Sequence, residues 1–273
     1  MAVPTSASRA YSKLVRPVNS AVLQQLEMFP EFKECEDACH KHQYARAVPP
    51  LTRMLQVCDS ISPALAIEAA WELGKVHARL GHVDEAVRHF KRDSVHGTEQ
   101  SIRVLLAHGA GATALALASS LPSPSKEIYT AVAQYVSDGS VTLPATAAVG
   151  EVYLAQGRNE DAMNILGLAL KRNEAVPSEP LELARTLGLL AVGYHRLGQA
   201  VSSEGLFTSS LDKYEAAAPL NRVNTVAYAK TLVGYGHLLQ QWEKREADGA
   251  AKLAKGTALL GHDYWLPLVY LGL

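Results

Sequence analysis

The chain has 273 residues, of which 48% are hydrophobic and 19% are charged, and its 26 basic and 27 acidic residues leave a net charge of −1. This balance excludes a strong bulk attraction to nucleic acid or to an anionic membrane. Three cysteines are too few for a disulfide framework, and no apolar run is long enough to predict a membrane span. Ala and Leu dominate without strand-like alternation, so the composition predicts an all-α protein.

The N-terminal segment, residues 1–26, carries Arg9, Lys13 and Arg16 and no acidic residue. Acid-free N-termini that contain Arg and Ser are typical of mitochondrial transit peptides, so this segment predicts mitochondrial targeting. The alternative is an ordinary tail that leads into a first helix near Tyr11, in a cytoplasmic protein.

The next segment predicts two helices, the second of which begins near Tyr44. Pro49 and Pro50 predict that this second helix starts late or kinks, because each proline lacks an N–H and crowds the preceding turn. Ser62 is placed to cap the following helix, and Pro63 is placed to open it.

The clearest pattern runs from Ala66 to Lys91. Apolar residues recur there at helical spacing, stop at Gly81 and resume, which predicts two amphipathic helices joined as an antiparallel hairpin. The stretch resembles a tetratricopeptide (TPR) repeat, and the positions that carry the resemblance are Leu73-Gly74, Gly81, Glu85-Ala86 and Phe90. The resemblance implies an α-solenoid of stacked hairpins in which small residues lie where two helices meet.

The middle of the chain, residues 94–142, follows this repeat least. The loop Gly109–Ala114 fits the G-x-G-x-x-A pattern of dinucleotide-binding folds, which would make the chain a nucleotide-dependent enzyme. That interpretation requires a strand before the loop, and the sequence favours a helix there. The other interpretation is a turn of small residues inside a helix hairpin.

Regular hairpins return at Leu143. Turns are predicted near residues 42, 81, 110, 157, 198 and 242. The sequence therefore predicts an array of about five to six hairpins over residues 27–260.

The C-terminal tail, residues 261–273, concentrates aromatic side chains at Tyr264, Trp265 and Tyr270. Because the last unit of a solenoid has no neighbour to cover it, the tail either folds back as a cap or docks on another subunit.

Cys35, Cys39 and His42 could share one helix face and begin a zinc site, but no fourth ligand accompanies them. The sequence therefore predicts packed thiols, with no metal site and no cofactor. A bridge from Cys35 or Cys39 to Cys58 would require an oxidising compartment. The ten histidines are scattered and are interpreted as packed or solvated.

The TPR resemblance also implies a groove that binds a partner, lined by the first helix of each hairpin. Its implied residues are Glu68, Trp71, Glu72, Lys75 and Arg79 in the clear repeat, and Ala147, Glu151, Arg185, Val192, His195 and Arg196 in the next two. The Lys/Asn/Arg clamp of chaperone-binding members is largely absent from these positions. Trp71 either anchors a partner or packs against the preceding hairpin.

These features favour a non-enzymatic scaffold or adaptor with a protein partner, as a subunit or assembly factor of a larger complex. That complex would be mitochondrial if the N-terminus targets the chain. The alternative is an RNA-binding array of the pentatricopeptide type, which the repeat length and the neutral charge disfavour.

Overall fold

The structure, a computed structural model, describes residues 20–94, 96–123, 125–139, 146–175 and 180–260. Over these residues the regular structure is entirely α-helical, and most consecutive helices pack against each other, so the all-α prediction is confirmed. None of the described helices combines the length and the apolar character that a bilayer span requires. The N-terminal segment before Ser20 and the aromatic tail with Tyr264, Trp265 and Tyr270 lie outside the described residues.

The described residues group into two compact units, and the N-terminal unit ends at residue 137. Its helices are α1 (Ser20–Glu27), α2 (Pro30–His40), α3 (Tyr44–Ile61), α4 (Pro63–Arg79), α5 (Val83–Phe90), α6 (Gly97–Ala107), α7 (Gly111–Ala118) and α8 (Ser125–Asp138). Short turns join α2 to α3, α4 to α5 and α6 to α7, and the two helices of each pair pack together as a hairpin.

The C-terminal unit begins at residue 138 and contains three further hairpins. Its helices are α9 (Thr146–Ala155), α10 (Asn159–Ala175), α11 (Pro180–Arg196), α12 (Ala200–Ala216), α13 (Arg222–Leu239) and α14 (Glu246–Leu260). The hairpins are α9–α10, α11–α12 and α13–α14. The first helix of the middle hairpin, α11, also packs against the first helices on both sides, α9 and α13.

Five of the hairpin turns share one backbone geometry. Each contains a residue with positive φ, and these residues are His42 (56°), Gly81 (76°), Gly109 (80°), Gly157 (75°) and Gly198 (76°). The following N–H bonds back to a carbonyl in the last helical turn, as from Gln199 to Tyr194 at 2.9 Å. This is the Schellman arrangement, in which glycine is favoured because it has no Cβ. The sixth predicted turn, near residue 242, lies between α13 and α14.

Small residues of one helix meet large residues of its partner, as expected for closely packed hairpins. A Cβ placed on Gly74 would lie 2.9 Å from the Phe90 ring, and one on Gly150 would lie 2.5 Å from Leu166. The core of the last two hairpins includes Phe207 and Tyr235, whose rings stack with centroids 5.5 Å apart. These contacts set the distance between the two helices of a hairpin and hence the positions of the side chains on its first helix.

The prediction for the proline-containing helix is partly wrong. Helix α3 begins at Tyr44 without delay and includes both Pro49 and Pro50. Neither proline can donate a hydrogen bond to the preceding turn. Leu51 and Met54, which follow within one turn of the same helix, are fully buried. Tertiary packing of this apolar face therefore outweighs the local cost.

Helix α4 begins as the sequence predicted. Pro63 is its first residue and Ser62 occupies the N-cap position, although the Ser62 side chain makes no capping hydrogen bond.

Candidate functional site

The first helices of the C-terminal unit carry a group of charged side chains that face one another. Arg185 on α11 donates a hydrogen bond to Glu151 on α9 at 2.9 Å, and Lys230 on α13 donates to the second carboxylate oxygen of Glu151. Glu182 lies 4.0 Å from Arg185. We call Glu151, Glu182, Arg185 and Lys230 the charged face. One carboxylate thus joins the first helices of three successive hairpins.

The charged face is only partly accessible to solvent. The side chains of Glu151 and Arg185 are 7% and 11% exposed, whereas Lys230 is 30% and Glu182 is 37% exposed. Burial by itself would lower the pKa of Arg185, but the carboxylates of Glu151 and Glu182 outweigh burial and raise that pKa. Arg185 is therefore a fixed cation held in place by its partners.

The other groove residues predicted in this unit lie on the same helices. His195 contacts Gln241 at 3.2 Å between Nε2 and Oε1, and the exposed Arg196 donates to the backbone carbonyl of Leu154. Val192 is half-buried and Ala147 is buried. The structure thus brings Glu151 and Arg185 together, and a role of these residues in binding a partner stays a prediction.

The groove residues predicted in the N-terminal unit lie on α4 and are mostly buried. Trp71 is 5% exposed, and its ring meets the Phe90 ring of the same hairpin with centroids 4.9 Å apart. Lys75 is 1% exposed and pairs with the half-buried Glu72 at 2.7 Å.

The two remaining predicted residues of α4 differ in exposure. Glu68 is 9% exposed, whereas Arg79 is exposed and its guanidinium lies 5.6 Å from the centroid of the Tyr44 ring. Of the predicted set on α4, Arg79 therefore presents the most accessible side chain.

Helix α6 precedes the Gly109 loop, where the dinucleotide-binding interpretation requires a strand. Val104 and the residues up to Ala107 belong to this helix, and Gly109 provides the positive φ of a hairpin turn. The loop is therefore a helix–helix connection, as the sequence favoured.

Cys35 and Cys39 are buried, as the packed-thiol prediction expected, and Cys58 is buried as well; all three are free thiols. Cys35 and Cys39 lie one helical turn apart with their sulfur atoms separated by 3.8 Å. The hydrogen bond with Cys39 and burial raise the pKa of the Cys35 thiol. His42 is exposed and contacts the Tyr44 hydroxyl at 3.0 Å.

A second group of polar side chains lies on the α4–α5 hairpin and was not predicted. The rings of His77 and His89 stack at 10° with centroids 5.5 Å apart, and Nδ1 of His77 lies 3.2 Å from Nδ1 of His82. A ligand atom from each of His77, Glu85 and His89 lies within 4.8 Å of the other two. We call His77, His82, Glu85 and His89 the histidine cluster.

Burial controls the protonation of the histidine cluster. Burial and the neighbouring His77 lower the pKa of His89 to about 4, and burial and His82 lower the pKa of His77. Both imidazoles are therefore neutral at pH 7. Nδ1 of His89 is buried and has no hydrogen-bond partner among the residues that the structure describes.

One signal in the sequence could have revealed this cluster. Glu85 and His89 are one helical turn apart, and His77 and Glu85 are equally distant from Gly81, the turn residue of an antiparallel hairpin. Folding the predicted hairpin at Gly81 therefore brings the three side chains to the same height along the hairpin axis.

A cavity of about 310 Å³ is lined by residues of α12, α13 and α14 and by Arg245 in the turn before α14. Its charged lining residues are Asp212, Glu215, Arg245, Asp248 and Lys252. Arg245 pairs locally with Asp248 at 2.9 Å and with Glu204 on α12 at 3.1 Å, so Arg245 connects the start of α14 to α12.

Comparison with known proteins assigns a function to neither the charged face nor the histidine cluster. No protein-family model matches the chain, and no curated protein matches it.

Proposed function

We propose that this chain is a non-enzymatic scaffold: a TPR-like α-solenoid whose first helices hold a segment of a partner protein. The observation that carries the proposal is the side-by-side packing of α9, α11 and α13, the first helices of three successive hairpins. In helical-repeat arrays, stacked hairpins create an extended binding surface of this kind. We call the surface that α9, α11 and α13 share the first-helix face, and the charged face lies on it.

The charges on this surface favour a partner segment with acidic side chains. Among the side chains that the structure describes on the first helices, three cations, Arg185, Lys230 and Arg196, accompany two carboxylates, Glu151 and Glu182. Lys230 and Arg196 are the more accessible cations, and an acidic side chain of a partner can approach them while Glu151 continues to hold Arg185. Complementary charges of this kind select a partner and its orientation more than they add affinity.

The test is quantitative affinity purification of the tagged full-length chain from cells, followed by mass spectrometry. Lys230→Glu reverses a charge on the first-helix face, and Lys171→Glu reverses an exposed charge on the second helix α10 as a matched control. We expect the wild-type chain and Lys171→Glu to recover the same acidic partner. Lys230→Glu should reduce its recovery at least about tenfold, since about 1.4 kcal/mol of lost binding free energy has that effect.

Circular dichroism of both variants verifies that the helices are retained. Equal recovery of all proteins by the three forms would contradict binding at the first-helix face. Recovery of RNA in place of protein, sensitive to ribonuclease and to salt, would favour the RNA-binding alternative. Cell fractionation tests the mitochondrial assignment, and a purely cytosolic chain would contradict it.

A further inference from the structure

We propose that the histidine cluster is a binding site for a divalent zinc-type cation, which would tie the second half of α4 to α5. The site belongs to a single hairpin and does not depend on the proposed scaffold function. Its donors are His77 at the end of α4 and Glu85 and His89 on α5, with His82 from the intervening turn as a further donor.

The geometry places the donors close to a common centre. One ligand atom each of His77, Glu85 and His89 lies within 4.8 Å of the other two. Donors about 2.0 to 2.2 Å from a tetrahedral zinc ion are about 3.4 Å apart, so a shift of the side chains completes the site. Glu85 is 44% exposed and pairs with the exposed Arg88, so its carboxylate can move towards the histidines.

The donor chemistry distinguishes this site from a packed pair of histidines. Nδ1 of His89 is buried and makes no hydrogen bond within the described part of the chain, which costs free energy unless a ligand satisfies it. Imidazole nitrogen with one carboxylate suits zinc and related transition metals, whereas calcium and magnesium require oxygen ligands.

The fourth position can be supplied from the solvent side. His82 is exposed and already contacts His77, so either His82 or a water molecule completes a four-coordinate site. Because the donors come from both helices of the hairpin, bound metal would oppose their separation and stabilise the folded state.

The test uses untagged, chelator-treated full-length protein, because a polyhistidine tag would itself bind zinc. Zinc is titrated in competition with a chromophoric chelator, and wild type should bind one ion per chain. Glu85→Gln, at a partly exposed position that tolerates the change, should weaken binding at least about tenfold, and His89→Gln should weaken it further. His195→Gln, outside the cluster, should bind zinc as wild type does.

Cobalt identifies the donors independently of affinity. The cobalt-loaded protein should give the visible bands of tetrahedral Co²⁺ without a thiolate charge-transfer band, and the double variant C35S/C39S should give the same spectrum. A charge-transfer band that disappears in C35S/C39S would place the metal on the cysteines and overturn the proposal. Wild-type affinity in both Glu85→Gln and His89→Gln, or no binding by wild type, would also overturn it.

Discussion

The turn residues show how one backbone conformation recurs along the chain. Gly81, Gly109, Gly157 and Gly198 adopt positive φ, which costs other residues about 1–2 kcal/mol because their Cβ crowds the backbone. His42 adopts the same conformation with a φ of 56° in the first hairpin. This turn therefore carries a conformational cost that the four glycine turns avoid.

Replacement of a turn glycine and of a helical glycine should have opposite effects. Gly198→Ala should lower the free energy of unfolding by about 1–2 kcal/mol, because φ at this turn is 76°. Gly205 lies inside α12, and no atom of the described residues lies within 4 Å of an added Cβ, so Gly205→Ala should raise the free energy of unfolding by up to about 1 kcal/mol. Urea denaturation followed by circular dichroism measures both, and destabilisation of equal size in the two variants would contradict the turn geometry.

At the scale of single residues, the sequence predicted the turns better than the polar clusters. Glycine marks positive φ directly, so four of the turns could be located from single residues. The histidines were interpreted one by one as packed or solvated, because no single residue reveals that His77, Glu85 and His89 converge. Their convergence depends on the register of α4 against α5, which close packing at contacts such as Gly74 with Phe90 determines.

Helices and hairpins were predicted from apolar periodicity, whereas contacts between hairpins were not. Glu151 and Lys230 lie on helices of different hairpins, and no local pattern relates them. The resemblance to a known repeat placed Glu151 and Arg185 on the first helices but did not include Lys230. The sequence predicted that α3 starts late or kinks, and the delayed start was wrong, since burial of Leu51 and Met54 outweighed the local effect of two prolines.

Loss of the central carboxylate should destabilise the C-terminal unit. Glu151→Gln leaves two cations, Arg185 and Lys230, without their shared anion, and we expect a loss of about 3 kcal/mol. The control Asp161→Asn removes the half-exposed pair with Arg158 and should cost less than about 1 kcal/mol. Urea denaturation measures both variants, and equal losses would contradict a role for Glu151 in joining the three first helices.

The carboxylate of Glu215 on α12 should make the free energy of unfolding depend on pH. A hydrogen bond from Tyr228 at 2.7 Å, together with the charge of Lys255, lowers the pKa of Glu215 below its unfolded value. A carboxyl whose pKa is lower in the folded state stabilises the protein above the unfolded pKa of about 4.3. This contribution is lost as the pH falls through the folded pKa.

Comparison of wild type with Glu215→Gln tests whether this stabilisation is lost as the pH falls. The wild-type chain should have the larger free energy of unfolding at neutral pH, and the difference should shrink as the pH falls below the ordinary carboxyl range. Urea midpoints across this pH range measure the difference. A difference that stays constant with pH would exclude the titration of Glu215 as its cause.

For the whole molecule, the described helices form two compact units, one on each side of residue 138. This boundary falls inside residues 94–142, where the sequence departs most from the repeat pattern. The sequence predicted the all-α class and the hairpin turns, because amphipathic periodicity and glycine positions are local properties. Partner and function depend on what binds the surface, which local patterns do not encode.

Lysine-specific crosslinking of the chain to its captured partner, read by mass spectrometry, tests the central claim most directly. Lys230 lies on the first helix α13, whereas Lys171 and Lys213 lie on the second helices α10 and α12. If the first helices hold the partner, its crosslinks within residues 146–260 should concentrate on Lys230. Crosslinks concentrated on Lys171 and Lys213, with none on Lys230, would contradict binding at the first-helix face.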